Sequence, residues 1–317
     1  MLRVGTDCSG IEAPIQAMLN MKVQFRHVFS CDADKYCRKS IEVNYHPEVM
    51  YDDMLKRNHA ELPDVDLYIC GFPCTPYSTL GLMKGSKDDR AGILDHCIQV
   101  ILTKQPLAFI LENVPSFRRM DGGEQFRRVI GALEDTYQIE DHRLNTKRFG
   151  LPQNRERLYI IGIKRGACVR PCEVQYFSTS PKQSLDSILQ DHKMYYDSPS
   201  PTVQRNVSSI RDPDPTKNYV ATSQVFGGTI QPMQEMCPTL TTSSASSYWL
   251  TKYRRRFTPT EMLLLQGFPL SFKQNVSNTQ LIRQAGNAMS VPVVGSVIEA
   301  VLRAVDKFTR VRNTEGV

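Results

Sequence analysis

Short apolar runs alternate along the first half of the chain with stretches in which apolar residues recur every three or four positions, the pattern of strands alternating with amphipathic helices. Leu2 to Asp7 reads as a strand that turns at Ser9-Gly10 into a helix carrying Ile11, Ile15, Met18 and Leu19 at helical spacing. Val28-Phe29-Ser30 follows as a second strand ending at Asp32 and Asp34, and a helix is predicted over Asp34 to Asn44. Val65 to Cys70 is the next apolar run. Past Gly71, Pro73 and Pro76 prevent a helix from starting cleanly, so this strand ends with Cys74 held at its tip. A helix with Leu94, Cys97, Ile98, Ile101 and Leu102 on one face, a strand over Leu107 to Leu111, a helix over Glu124 to Glu134 and a strand-like Leu158 to Ile163 continue the alternation. It predicts an α/β fold with a mostly parallel, Rossmann-like sheet and flanking helices.

From about Arg165 to Leu250 the pattern breaks. Pro171, Pro181, Pro199, Pro201, Pro213, Pro215, Pro232 and Pro238 interrupt a stretch rich in serine and threonine, which reads as a separate loop-rich module. Helical spacing resumes at Thr260 to Gln266 and in Val294, Val297, Ile298, Val301, Leu302 and Val305. The expected organisation is a first domain over 1–164, a module over 165–252, and a return to the first domain over 253–317 with a C-terminal helix. Thr79 to Arg90 is polar, carries Gly81, Gly85, Lys84 and Lys87, and shows no period; it is expected to be a mobile loop able to close over substrate.

With 317 residues, 41% of them apolar, the chain can build one large or two unequal cores. No stretch is long and apolar enough to span a bilayer and no signal peptide is visible, so the protein is expected inside the cell, without a membrane partner. Nine scattered cysteines fit free thiols in a reducing compartment, and the Cys168 and Cys172 spacing gives no metal site. The net charge of +6 allows a polyanionic partner without requiring one. Its distribution adds more: Arg143, Lys147, Arg148, Arg155, Arg157, Lys164, Arg165 and Arg170 form one basic run, and Lys252 with Arg254 to Arg256 another, as the lips of a nucleic-acid groove would.

The strand tips carry the candidate chemistry. Gly10 at the first turn and Asp32 at the next strand end, about 20 residues on, jointly suit an adenosine ribose. Cys74 offers a thiolate, Glu112 follows the Leu107 to Leu111 strand as a carboxyl able to share a proton, and Arg155 and Arg157 offer guanidinium groups. Such a set suits conjugate addition of a thiolate to a pyrimidine ring. A thiol hydrolase acylated at Cys74 stays open as the alternative, although neither His96 nor His142 sits in a recognisable partner motif.

Five strings occur in the order found in one enzyme family: Gly71-Phe72-Pro73-Cys74, Glu112-Asn113-Val114, Gln153-Asn154-Arg155-Glu156-Arg157, Leu265-Gln266-Gly267-Phe268-Pro269 and Gly286-Asn287-Ala288. On them the chain resembles the DNA (cytosine-5)-methyltransferases over residues 1–164 and about 253–310. The resemblance implies S-adenosyl-L-methionine as methyl donor, S-adenosyl-L-homocysteine as product, and a flipped-out cytosine in double-stranded DNA as acceptor. It implies that Cys74 attacks carbon 6, that Glu112 contacts ring nitrogen 3, that Arg155 and Arg157 steady the base carbonyl and the catalytic loop, and that Asn113 braces the Pro73-Cys74 turn. Gly10, Ile11, Asp32, Ala33, Asp53, Met54, Phe72, Asn287 and Ala288 would line the donor pocket. The middle module would read DNA, with Thr239, Thr241, Thr242 and Ser243 as candidate contacts beside Thr79, Lys84, Lys87 and Arg90 of the loop. Departures from the family pattern are Gly10-Ile11-Glu12-Ala13-Pro14, where Gly-x-Gly-Gly and an aromatic are usual, and Thr75, where glutamine is usual. A monomer of the compact bacterial, phage or viral type is the expectation, with a restriction endonuclease as candidate counterpart. The alternatives are a transfer-RNA methyltransferase, whose Cys-Phe-Thr string is missing from the module, and an inactive regulatory homologue.

Overall fold

The computed structural model describes residues 1–73, 92–176, 181–190, 198–223 and 230–308. By its contacts the chain forms two compact units. The first takes 1–144, 156–175 and the chain from Val293; the second takes 145–155 and 176–292. Boundaries drawn from composition at 164 and 252 therefore differ from this grouping, chiefly because 253–292 packs with the second unit.

The first unit is built on β1 (Leu2–Asp7), β2 (Phe25–Cys31), β3 (Val49–Tyr51), β4 (Leu67–Cys70), β5 (Ala108–Asn113), β6 (Tyr137–Asn145) and, beyond the two-residue β7 (Gln153–Asn154) of the second unit, β8 (Glu156–Lys164). They form a seven-stranded sheet in the order β3-β2-β1-β4-β5-β8-β6. Neighbours from β3 to β5 run parallel, and β8 runs antiparallel to β5. The central parallel strands β1, β4 and β5 are buried almost throughout, which is why they read as continuous apolar runs in the sequence, whereas the edge strand β3 is partly exposed. Two glycines make room for aromatic rings across the sheet: a Cβ at Gly5 would lie 2.2 Å from Phe29, and one at Gly162 would lie 2.1 Å from Phe109.

Helices α1 (Ala13–Asn20), α2 (Lys35–Asn44), α3 (Gly92–Lys104) and α4 (Glu124–Leu133) lie in the expected stretches, but Leu19 and Leu102, read onto the apolar faces of α1 and α3, are exposed. The first starts at Ala13 rather than near Ile11 because Glu12 holds a left-handed conformation, φ 59 and ψ 49. Strand order reverses between β1 and β4, since the chain leaves β1 toward β2 on one side and returns to β4 on the other. The crevice outside the carboxyl ends of such strands is where open α/β sheets bind ligands.

The second unit contains α5 (Leu185–Ile188), α6 (Pro201–Ser208), β9 (Tyr219–Thr222), β10 (Met233–Gln234), β11 (Cys237–Pro238), β12 (Tyr248–Leu250), β13 (Arg255–Arg256), α7 (Pro259–Leu265) and α8 (Asn278–Asn287). A four-stranded sheet runs β10-β9-β12-β13, and β11 pairs with β7. Trp249 packs with Val203 and Ala221 in a small core, so it serves this unit's interior. Arg255 and Glu261 form a buried two-pronged ion pair at 2.8 Å, and Glu261 also caps α7 with Thr258. The last helix, α9 (Val291–Ala304), belongs to the first unit from Val293 on, where Gly295 lets it approach Ala17 of α1.

Candidate active site

Beyond β1 the backbone turns through Cys8, Gly10 and Glu12, all with positive φ. The Gly10 N–H donates to Asp32 Oδ2 at 2.7 Å, and the Asp34 N–H to Asp32 Oδ1 at 2.8 Å. Asp32 thus stands at the end of β2 in a fixed orientation. Burial pushes its carboxyl up to about 6, against the pull of those two N–H groups. A Cβ built at Gly10 would meet nothing within 4 Å among the described residues, so these leave space beside the turn. Asp53, past β3, accepts from the Leu55 N–H at 2.9 Å and lies 3.2 Å from Lys56; burial raises its carboxyl, but these partners bring it below its ordinary value. Met54 is buried, with its sulfur 4.0 Å from Cys8 Sγ, Ile11 is buried, and Ala33 is exposed. These predicted donor-pocket residues of the first unit all lie in or beside the segments that follow β1, β2 and β3.

Strand β4 leads to Phe72, whose ring packs edge-on against Phe117 at 5.1 Å. Asn113, at the end of β5 and 1% exposed, donates through Nδ2 to the Phe72 carbonyl at 3.3 Å and accepts from the Val114 N–H. It therefore holds the strand exit that leads to Pro73. Cys74 and the loop residues Thr79, Lys84, Lys87 and Arg90 lie outside the described residues. Cys70, by contrast, is a packing group: its thiol sits 3.3 Å from that of Cys97, and burial pushes it well up.

The antiparallel pairing of β5 and β8 sets Glu112 opposite Tyr159 and Asn113 opposite Leu158, which brings Arg157 to the same end of the sheet as Glu112. Arg157 Nε is 3.3 Å from Glu112 Oε1, with side chains 14% and 9% exposed. Water is mostly excluded, so the pair attracts more strongly than an exposed one.

The other arginine of the motif takes a different course. Arg155 belongs to the second unit, is 2% exposed, and donates to the carbonyls of Leu240 at 2.5 Å, Gly286 at 3.3 Å and Ala288 at 2.8 Å. Gln153 adds Nε2 to the Leu265 carbonyl and accepts from the Leu240 N–H. Asn287 is exposed at the end of α8 and Ala288 is buried, both in the second unit. Helix α8 comes so close to the 239–244 segment that a Cβ at Gly286 would lie 2.5 Å from the Thr241 carbonyl carbon. Within that segment Thr239 donates to the Asn154 carbonyl and Thr241 shares a hydrogen bond with Ser244, whereas Thr242 and Ser243 are exposed.

Several members of the two basic runs are engaged within the chain. Arg143 pairs with Glu156, Lys252 with Asp186 and Arg255 with Glu261, and Arg148 stacks 3.9 Å over Tyr176. Sequence reasoning also passed over a buried network at β1. Asp7 Oδ2 accepts from Arg57 and from the Tyr68 hydroxyl at 2.7 Å, and Arg57 lies 5.2 Å from the rings of both Phe29 and Tyr51. An acid at the end of an otherwise buried strand was the available signal, because a buried carboxylate requires a partner.

The family model for C-5 cytosine-specific DNA methylases matches residues 8–303. The Type II methyltransferase M.NgoBI of Neisseria gonorrhoeae is 32% identical over 275 residues, 84% of this chain and 83% of its own. M.HaeII of Haemophilus aegyptius, also a Type II methyltransferase, is 30% identical over 288 residues, covering 90% and 88%. Among solved structures, the Entamoeba histolytica methyltransferase EhMeth superposes with a TM-score of 0.71 over 96% of this chain and 98% of its own at 18% identity, which supports the fold. With the motif-bearing strand ends in place and the family model spanning nearly the whole length, the chain belongs to the C-5 cytosine-specific DNA methylase family.

Proposed function

We propose that the protein methylates carbon 5 of a cytosine flipped out of a short, specific sequence in double-stranded DNA, through a covalent adduct on Cys74. The buried Glu112–Arg157 pair carries this reading, because it sets a carboxyl group at the sheet end to which β4 also delivers the chain. The residues of the first turn fit an adenosyl donor: the Asp32 carboxylate is oriented by two N–H groups, and the open Gly10 turn leaves room beside it. When bound, S-adenosylmethionine supplies an electrophilic methyl group. The Cys74 thiolate adds to carbon 6, opening the ring's 5,6 double bond, while Glu112, acting as the carboxylic acid, gives its proton to nitrogen 3 and becomes the carboxylate that Arg157 pairs with, so that carbon 5 becomes nucleophilic. Arg157 holds Glu112 in position. Once carbon 5 is alkylated, its proton passes to water, the Cys74 sulfur leaves as the thiolate, and nitrogen 3 returns its proton to Glu112, which restores the neutral aromatic ring. DNA reading falls to the second unit, where Thr242 and Ser243 are the exposed hydroxyls of the 239–244 segment. The Type II names of the relatives support a cognate endonuclease that reads the same sequence.

Mapping 5-methylcytosine in DNA from cells that express the protein and lack other cytosine methylation tests the reading. Methylation confined to cytosines within one short sequence is expected; unmethylated DNA, or methyl groups on transfer RNA instead, would overturn it.

Asp32 adds a pH dependence. Its folded value of about 6 lies above the ordinary 3.8, so its contribution to stability is full below 3.8 and is lost as pH rises through about 6. Donor binding runs oppositely, since ribose hydroxyls donate best to the ionised carboxylate. Titration calorimetry with S-adenosylhomocysteine should show affinity rising as pH passes upward through about 6, and Asp32→Asn should flatten that rise.

A further inference from the structure

Glu12 sits where β1 turns into α1, left-handed and 0% exposed. A left-handed backbone disfavours any residue with a side chain, and a buried carboxylate is unfavourable unless well hydrogen-bonded. Glycine would suit the position on both counts, so the carboxylate must be explained by what it holds.

Its Oε1 accepts from the Thr6 hydroxyl at 2.5 Å and from the Ser30 hydroxyl, with His27 Nε2 3.4 Å away. Thr6 and Ser30 face each other in the β1–β2 register. One carboxylate oxygen thus joins the turn to the ends of both strands. The same turn is tied down again where the Ser9 N–H donates to the Cys31 carbonyl at 3.1 Å, and between these two anchors Gly10 presents its N–H to Asp32.

We propose that Glu12 is a positioning residue for the methyl donor: its carboxylate pins the 8–12 turn to β1 and β2 and so keeps Asp32 aimed at the donor's ribose hydroxyls. The inference rests on the reading of Asp32 as the ribose acid. The chain replaces a flexible glycine turn with one locked from below by a buried, hydrogen-bonded anchor, and donor affinity depends on that anchor.

Glu12→Gly relaxes the backbone but removes the anchor; Glu12→Gln keeps the shape and an acceptor oxygen. The glycine variant should raise the donor KM and the Kd for S-adenosylhomocysteine about tenfold or more. At saturating donor, kcat should stay within twofold and the KM for DNA should not move. Glutamine should recover most of the lost affinity. The Thr6→Val, Ser30→Ala double variant, which leaves Glu12 in place without its two hydroxyl partners, should raise the donor KM in the same way. It alone decides the matter if the glycine variant does not fold. Donor affinity within twofold of the parent, or donor and DNA parameters falling together with the folded fraction seen by circular dichroism, would overturn the proposal. Asp32→Ala separates the two readings. If it loses donor affinity while the Glu12 variants keep theirs, the anchor role fails alone; if Asp32→Ala also binds normally, the placement of the donor fails.

Discussion

Exchanging Glu112 for glutamine is expected to lower kcat for methyl transfer by about 10²–10⁴, the usual span for a positioned proton donor, while the Kd for S-adenosylhomocysteine stays within twofold. Glu112 closes β5, is 7% exposed, and lies 3.3 Å from Arg157. Glutamine preserves shape and can still hydrogen-bond a base edge, but it cannot give up a proton at nitrogen 3 as the thiolate adds. It also leaves the mostly buried Arg157 without its carboxylate, so part of the loss should appear as a lower melting temperature. Single-turnover methylation with saturating donor and DNA isolates the chemical step. A rate within tenfold of the parent would remove Glu112 from the proton's path.

Cys74→Ala should have the larger effect, lowering methyl transfer by at least about 10⁴, as loss of a covalent nucleophile does. Donor and DNA should still bind. The parent enzyme should become covalently attached to DNA carrying 5-fluorocytosine at the target, because fluorine cannot leave as a cation, and mass spectrometry should place the adduct on the peptide containing Cys74. Other thiols make poor substitutes: Cys31, Cys70 and Cys237 are buried, and burial pushes each thiol up, away from the reactive thiolate. An adduct that persists in the alanine variant, or active enzyme that never forms one, would refute attack at carbon 6 by Cys74.

The strands at the centre of the sheet were legible because burial on both faces makes them apolar throughout; β1, β2, β4, β5 and β8 lie where those runs lie. The edge strand β6 was not, since Glu140, Asp141, His142 and Arg143 give it no apolar face to read. The short strands of the second unit were missed for another reason. Strands such as Met233–Gln234 and Arg255–Arg256 have only two residues, too few for alternation to show. For the site, the motif Gln153 to Arg157 named the right residues but could not say which way each would face. A strand alternates sides, and the chain passes from one compact unit to the other between Arg155 and Glu156. Arg157 meets Glu112, and Arg155 turns to carbonyls of its own unit. The Glu12 anchor was invisible because Thr6, Ser30 and His27 are brought to it only by the pairing of β1 with β2.

Arg155 binds main-chain oxygen atoms at Leu240, Gly286 and Ala288, and Gly286 touches the backbone of Thr241 and Thr242. Neither contact uses the side chains of residues 242 and 243. The segment is therefore held largely through its main chain, so a substitution at the exposed Thr242 would change the surface this unit presents while these main-chain contacts stay in place.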